Sequence, residues 1–434
     1  MADHLLSVGL DVGTTTTQMI VSRLTVENKA TGFAVPEMEI ADREILYKGK
    51  VHFTPLIEGK RVDKEGLQAL VDREYENAGI RREQVDTGAV IITGETSRKE
   101  NARTALEALS EYAGDFVVAT AGPDLESVLA ARGAGAVDYS QRTGKLVLHM
   151  DIGGGTSNLC LIKEGKILAT GCLNVGGRLI KRDSVGNVTY RSPVLSYTAE
   201  TDITKILQDM VAALEMAAGL RPADERLGRF MTEEITTPWE IPEERPVISF
   251  SGGVADCVEK NYPPLAFGDI GPELGRAIRE SRLCKGEYIL GTETIRATVI
   301  GAGCYSTTLS GSTVFYRNVH FPMKNLPVME FAPGRTCPEG ETAVFSINTE
   351  GSFSYDRVRG LAKTLAEQTK GPVYVALQAD AAKALGHCLC LILPPERPIC
   401  CIDRVKLTEG SFLDIGAPVG PALPVVIKTL ILSQ

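Results

Sequence analysis

Two stretches of the chain share one pattern of apolar and polar positions. Residues 5–24 read LLSVGLDVGTTTTQMIVSRL and residues 145–164 read KLVLHMDIGGGTSNLCLIKE. Each has an apolar run, an Asp, an aliphatic residue, a Gly, several small residues, one polar residue and a second apolar run. That order predicts two strands joined by a tight glycine turn. Asp11 and Asp151 hold the same place in the two copies, 140 residues apart, so the chain contains an internal repeat.

The segments downstream of the two copies are also alike. After the first, the pattern predicts a strand over 89–93, a helix over 101–112, a strand over 116–119 and a helix over 125–136. After the second it predicts a helix over 202–218, a strand over 247–250, a short helix over 272–281 and a helix over 294–304. The last helix of each set ends alike, in Gly133-Ala134-Gly135 and Gly301-Ala302-Gly303, now 168 residues apart. The acidic, Pro-rich stretch 221–246 is the natural place for the extra residues. Its tryptophan, Trp239, is expected to staple this insertion to its own lobe.

Strands followed by helices, twice over, predict two α/β lobes with mixed sheets, residues 1–143 and 144–310, and a cleft between them. Residues 311–434 read as a smaller C-terminal α/β domain. Its expected elements are strands over 342–347, 372–375 and 388–393, a helix over 355–367, and a final strand over 424–432.

Composition narrows the function classes. The 434 residues carry a net charge of −9 and are 44% hydrophobic, an ordinary globular make-up. The acidic excess argues against broad nucleic-acid or anionic-lipid binding. No apolar run approaches the ~18 residues of a membrane span, and the N-terminus lacks a basic-then-apolar leader. Ten cysteines, mostly inside apolar runs and without a Cys-x-x-Cys pair, point to a reducing cytosol. His387, Cys388 and Cys390 read as strand packing rather than a zinc site.

The glycine turns carry the chemistry. Gly13, Thr14, Thr15 and Thr16 in one, and Gly153, Gly154, Gly155 and Thr156 in the other, offer close backbone approach and hydroxyl donors to phosphate oxygens. The preceding carboxylates, Asp11 and Asp151, suit a hydrated Mg²⁺ bridging those phosphates. A third turn, Ser251-Gly252-Gly253-Val254, leaves room for a ribose or flat ring and is the expected adenosine site.

This ordered set resembles the actin/Hsp70/sugar-kinase ATPase superfamily, with a first phosphate loop at 11–17, a connecting helix at 126–135 and a second phosphate loop at 151–156. The adenosine loop at 251–256 and a second connecting helix at 294–303 complete it. Glu126 opens the first connecting helix nine residues before Gly135, as in that superfamily. The resemblance implies a two-lobed actin-like (ribonuclease H-like) fold, Mg²⁺ held through water by Asp11 and Asp151, and an attacking water positioned or deprotonated by Glu126 and Asp151. The lysine that Hsp70 members place near the γ-phosphate has no clear counterpart; Lys99, in the loop that also holds Glu95, is the candidate.

Within the superfamily, the chain is similar to the family of ethanolamine ammonia-lyase reactivating factors (EutA). The similarity is carried by GLDVGTTTTQ, by VIITGETSRKENA followed by GPDLES, by MDIGGGTSN with NVGGRLI, and by the tail SFLDIGAPVGPALPVVIKTLIL. It implies a weak ATPase using ATP and Mg²⁺. The implied role is that of a chaperone releasing damaged cobalamin from adenosylcobalamin-dependent ethanolamine ammonia-lyase, in the cytoplasm or in association with a bacterial microcompartment. A homodimer is left open. Rival readings are a sugar or metabolite kinase, an actin-like scaffold and an iron–sulfur activator of radical dehydratases.

Overall fold

The first hairpin forms because its strands are apolar on one face, while the first of them is small at Ser7 and Gly9 on the other. Val8, Leu10 and Val12 pack with Leu67, Val71, Val90 and Ile92 in one core. On the opposite face Ser7 and Gly9 let a helix lie against the sheet: the Ser7 hydroxyl donates to Gly303 O at 2.6 Å, and a Cβ on Gly9 would stand 2.6 Å from Val299 O. The structure, a computed structural model, describes residues 3–13, 16–29, 38–57, 61–92, 117–120, 123–198, 200–232, 239–240, 244–291, 293–305, 307–310, 313–337, 342–349, 353–407, 409, 411–418 and 422–429. The helix expected over 101–112 lies outside them, as do Thr14, Thr15, Glu95 and Lys99.

The expected repeat governs both lobes. In the first, strands Met38–Lys48, Thr16–Asn28, Asp3–Val12, Thr87–Ile92 and Val117–Thr120 lie side by side in that order. The first three are antiparallel neighbours and the last two run parallel to Asp3–Val12. The second lobe repeats this with Lys166–Leu173, Ser157–Lys163, Leu146–Ile152, Val247–Ser251 and Tyr288–Leu290. Both are therefore α/β with mixed sheets. The core of the second lobe joins Leu148, Met150 and Ile152 to Phe250 and to Leu207, Met210 and Leu214 of helix Ile203–Ala217.

Two helices cross between the lobes, Pro123–Gly133 and Ala297–Tyr305. Backbone meets backbone at their crossing: a Cβ on Gly133 would stand 1.8 Å from Ala297 O, and one on Gly301 would stand 2.1 Å from Leu129 O. The helix expected over 125–136 is broken. Gly135 takes a left-handed conformation (φ 79°), and a second helix, Ala136–Thr143, leads into the second lobe. The helix expected to start at 294 starts instead at Ala297, and the Thr294 carbonyl accepts from Gly252 N–H of the neighbouring glycine turn.

An eight-stranded sheet makes up the third unit. Strands Val344–Ile347, Val373–Leu377 and Ile399–Ile402 run parallel, joined through helices Tyr355–Gln368 and Ala382–Ile392. The strand expected over 388–393 is thus the last part of a helix. Leu385, Cys388 and Leu389 are buried while Leu391 is 83% exposed, a helical spacing that a short apolar run conceals. The insertion holds helix Glu225–Phe230. Trp239 does staple it: the indole N–H donates to Ala217 O at 3.1 Å, and its ring lies over Gly171, where a Cβ would stand 2.7 Å away. Among the described residues no helix is long and apolar enough to cross a membrane.

Candidate functional site

The two hairpins match residue for residue. Asp11 pairs with Gln18 and Val12 with Thr17; Asp151 pairs with Asn158 and Ile152 with Ser157. Each turn closes with the same bond, Gly13 N–H to Thr16 O and Gly153 N–H to Thr156 O, both 2.9 Å. Cross-strand partners share a sheet face, so each aspartate stands beside an amide side chain. Different props hold the turns. The Thr54 hydroxyl donates to Gly13 O at 2.8 Å. On the other turn Gly177 and Arg178 N–H groups donate to Gly153 O and Gly154 O. Gly176 is pressed under the loop so closely that a Cβ would meet Gly154 O at 2.4 Å.

Glu126, in the first turn of helix Pro123–Gly133, joins the two hairpins. Burial, and after it the charges of Asp151 and Asp11, hold its carboxyl well above the usual range, while a hydrogen bond with Asn158 opposes that rise. Glu126 therefore feels the carboxylates of both hairpins. Asp151 is only 7% exposed, and burial pushes its carboxyl up to about 6. Its oxygens accept from the Ser251 hydroxyl at 2.5 Å and from the Thr298 hydroxyl at 3.5 Å. Among the described residues, two buried carbonyl oxygens, Gln18 Oε1 and Asn158 Oδ1, have no hydrogen-bond partner.

Such a cluster is rich in acceptors and short of donors. Carboxylates pushed upward together with orphaned amide oxygens call for a cation, whose bound waters can donate to all of them. The residues present thus fit a hydrated divalent ion between Asp11 and Asp151.

The third glycine turn adjoins this cluster. Strand Val247–Ser251 runs into Gly252, which has φ 87° and presses so close to Ile152 O that a Cβ would stand 2.3 Å from it. Thr294 clamps the turn, its carbonyl accepting from Gly252 N–H at 2.9 Å and its hydroxyl donating to Asp256 at 2.6 Å. The next residues reach the first lobe: Ile295 O accepts from Gln18 at 3.4 Å, and Arg296 donates to Gly49 O at 3.1 Å. One segment thus touches both lobes and ties the third glycine turn to the first hairpin.

Of the residues singled out by sequence, Asp11, Gly13, Thr16, Glu126, Asp151 and the loop 153–156 lie at this cluster, with 251–254 beside it. Ser251 is fully buried and its hydroxyl is turned to Asp151. Sequence reasoning missed His149, also fully buried, whose ring nitrogens lie 2.9 Å from the hydroxyls of Ser249 and Ser251. Burial pushes its imidazole down to about 3, so the ring is neutral. The available signal was spacing: His149 and Asp151, like Ser249 and Ser251, are two apart on adjacent strands and so share a face.

A family model described as "Ethanolamine utilisation protein EutA" matches residues 3–338 and 335–433. The chain is 38% identical to "Ethanolamine ammonia-lyase reactivase EutA" of Salmonella typhimurium, the match covering 98% of each chain. It is 37% identical to the protein of the same description from Escherichia coli, again over 98% of each. Among solved structures, a Ppx/GppA family member from Aquifex aeolicus matches at a TM-score of 0.43 and 14% identity, over 69% of this chain and 97% of that one.

Proposed function

The chain belongs to the EutA family of ethanolamine utilisation proteins, and from that premise we propose that it is an ATP-dependent chaperone reactivating adenosylcobalamin-dependent ethanolamine ammonia-lyase. Its task is to drive release of damaged cobalamin so that intact coenzyme can bind. The observation that carries this reading is the meeting of Asp11, Asp151 and Glu126, from two matched hairpins and the helix between them. A site shared by two lobes can read a nucleotide as a lobe arrangement, which a site on one lobe cannot.

In this reading Gly13, Thr14, Thr15 and Thr16 hold the ATP phosphates from one side, and Gly153, Gly154, Gly155 and Thr156 hold them from the other. The turn Gly252-Gly253-Val254, just past Ser251, backs the adenosine. Asp11 and Asp151 would hold a hydrated Mg²⁺. When bound, the ion supplies charge neutralisation along the triphosphate. Glu126, hydrogen-bonded to Asn158, and Asp151 orient the attacking water, and one of the two takes its proton; a carboxylate whose proton affinity is raised by burial is a stronger base than an ordinary one.

Loss of the γ-phosphate removes contacts from both hairpins at once. Moving a two-state cleft from 1:99 to 99:1 takes about 5.5 kcal/mol of differential binding, which several charge-assisted hydrogen bonds supply together. The lobe motion then acts on the lyase. The reading places this work in the cytoplasm or at a bacterial microcompartment, where an ethanolamine-utilising enzyme would be met.

The experiment is recovery of cobalamin-inactivated lyase with ATP and Mg²⁺, alongside ATPase activity, for wild type, Asp11→Ala and Asp151→Ala. Wild type is expected to restore the lyase and both variants to fail. Normal rescue by both variants would sink the mechanism. Phosphorylation of a sugar or other metabolite without lyase would favour a kinase.

A further inference from the structure

We propose that Ser251 is a positioning residue for Asp151, locked in place from behind by His149, rather than an adenosine contact. The inference rests on Asp151 serving the nucleotide's metal and water, and extends that role to residues outside the phosphate loops.

Register makes the arrangement. Strands Leu146–Ile152 and Val247–Ser251 run parallel, with His149 opposite Ser249 and Asp151 opposite Ser251. All four side chains lie on one face of the sheet, while Met150 and Phe250 fill the core on the other. His149, Ser249 and Ser251 are fully buried, so their polar atoms must satisfy one another.

Counting protons fixes each direction. Asp151 accepts, so the Ser251 hydroxyl spends its only hydrogen on Asp151 Oδ1. Ser251 Oγ must then accept from His149 Nε2. A neutral imidazole has one N–H, so Nδ1 is the acceptor and the Ser249 hydroxyl donates to it. Of the two neutral tautomers, only Nε2–H satisfies all three bonds. The chain ends at one oxygen of Asp151, and Thr298, from the second connecting helix, reaches the other. The carboxylate is thereby held in one orientation from both sides. In the repeat, His149 stands where the first hairpin has Gly9, which packs against helix backbone; the device belongs to the second hairpin alone.

Two measurements test it on the full chain. Steady-state ATPase of wild type, Ser251→Ala, His149→Gln and Asp151→Ala separates positioning from nucleotide binding. Ser251→Ala is expected to lower kcat about tenfold to a hundredfold, as loss of a partner behind a metal-associated ligand does, with KM for ATP within about twofold of wild type. An adenosine contact would show the reverse, a raised KM with kcat unchanged, and would overturn the inference. Separately, nitrogen-15 spectra of the histidine rings, only five in the chain, should show His149 as the Nε2–H tautomer. His149→Gln assigns its signals, and Ser251→Ala should shift them. An Nδ1–H ring in the wild type overturns the relay whatever the kinetics. Full activity of Asp151→Ala would instead overturn the role given to Asp151, leaving the tautomer result to stand by itself.

Discussion

The crossing of the two connecting helices offers the sharpest test of how the lobes are joined. A Cβ on Gly133 would stand 1.8 Å from Ala297 O and 2.8 Å from Gly301 N, and one on Gly301 would stand 2.1 Å from Leu129 O, where ordinary contact begins near 3.4 Å. The obstacles are backbone atoms of packed helices, which cannot rotate aside. Overpacking of this kind costs up to about 3 kcal/mol, from which about 1 kcal/mol is returned by the better helix propensity of alanine. Each of Gly133→Ala and Gly301→Ala should therefore lose about 2 kcal/mol, a fall of about 4–8 °C in Tm. The right control is Gly360→Ala, in helix Tyr355–Gln368 with nothing within 4 Å of its Cβ. It should gain up to about 1 kcal/mol. The two damaging sites share one contact, so the double variant should lose less than the sum of the singles. If Gly133→Ala and Gly301→Ala melt with the control, the helices do not meet backbone to backbone.

Buried polar groups give further tests. In the third unit, the Thr313 hydroxyl meets both Asp380 and the fully buried Asp403, and one hydrogen cannot serve two carboxylates. Burial raises the Asp403 carboxyl from 3.8 to about 6, so the folded protein binds a proton that the unfolded chain has released. Stability should fall as pH rises from about 4 through 6, by as much as ~3 kcal/mol. Denaturant midpoints across that range should flatten in Asp403→Asn, and an unchanged slope would refute the assignment. In the first lobe, fully buried Glu74 accepts from Tyr47 at 3.0 Å and Lys50 N–H at 3.2 Å, and pairs with His52 at 2.7 Å. Glu74→Ala should cost about 3 kcal/mol by chemical denaturation, and amide exchange should quicken at Gly13 and Thr17, which are bonded by Thr54, two residues beyond His52.

Sequence made the paired hairpins legible because a turn that must bring backbone and carboxylate to one point tolerates few residue types. Two copies of Asp-x-Gly in step therefore stood out. Glu126 was legible through its distance from Gly135, although not the break that Gly135 makes in the helix. The segment 388–393 misled because six apolar residues fit a strand as well as the end of a helix; the exposure of Leu391 against buried Leu385 and Leu389 separates the two. His149 was invisible for a different reason. Its partners come from a strand one hundred residues on, and nothing local marks a histidine whose hydrogen bonds are supplied by register.

Trp239 is the single tryptophan of the chain, and it is planted on Ala217 and Gly171 of the second lobe. Intrinsic fluorescence excited at the indole thus listens to one third of the molecule. A melt followed by its emission will track that lobe alone, whereas circular dichroism averages over all three units. Any gap between the two curves measures how independently the second lobe lets go.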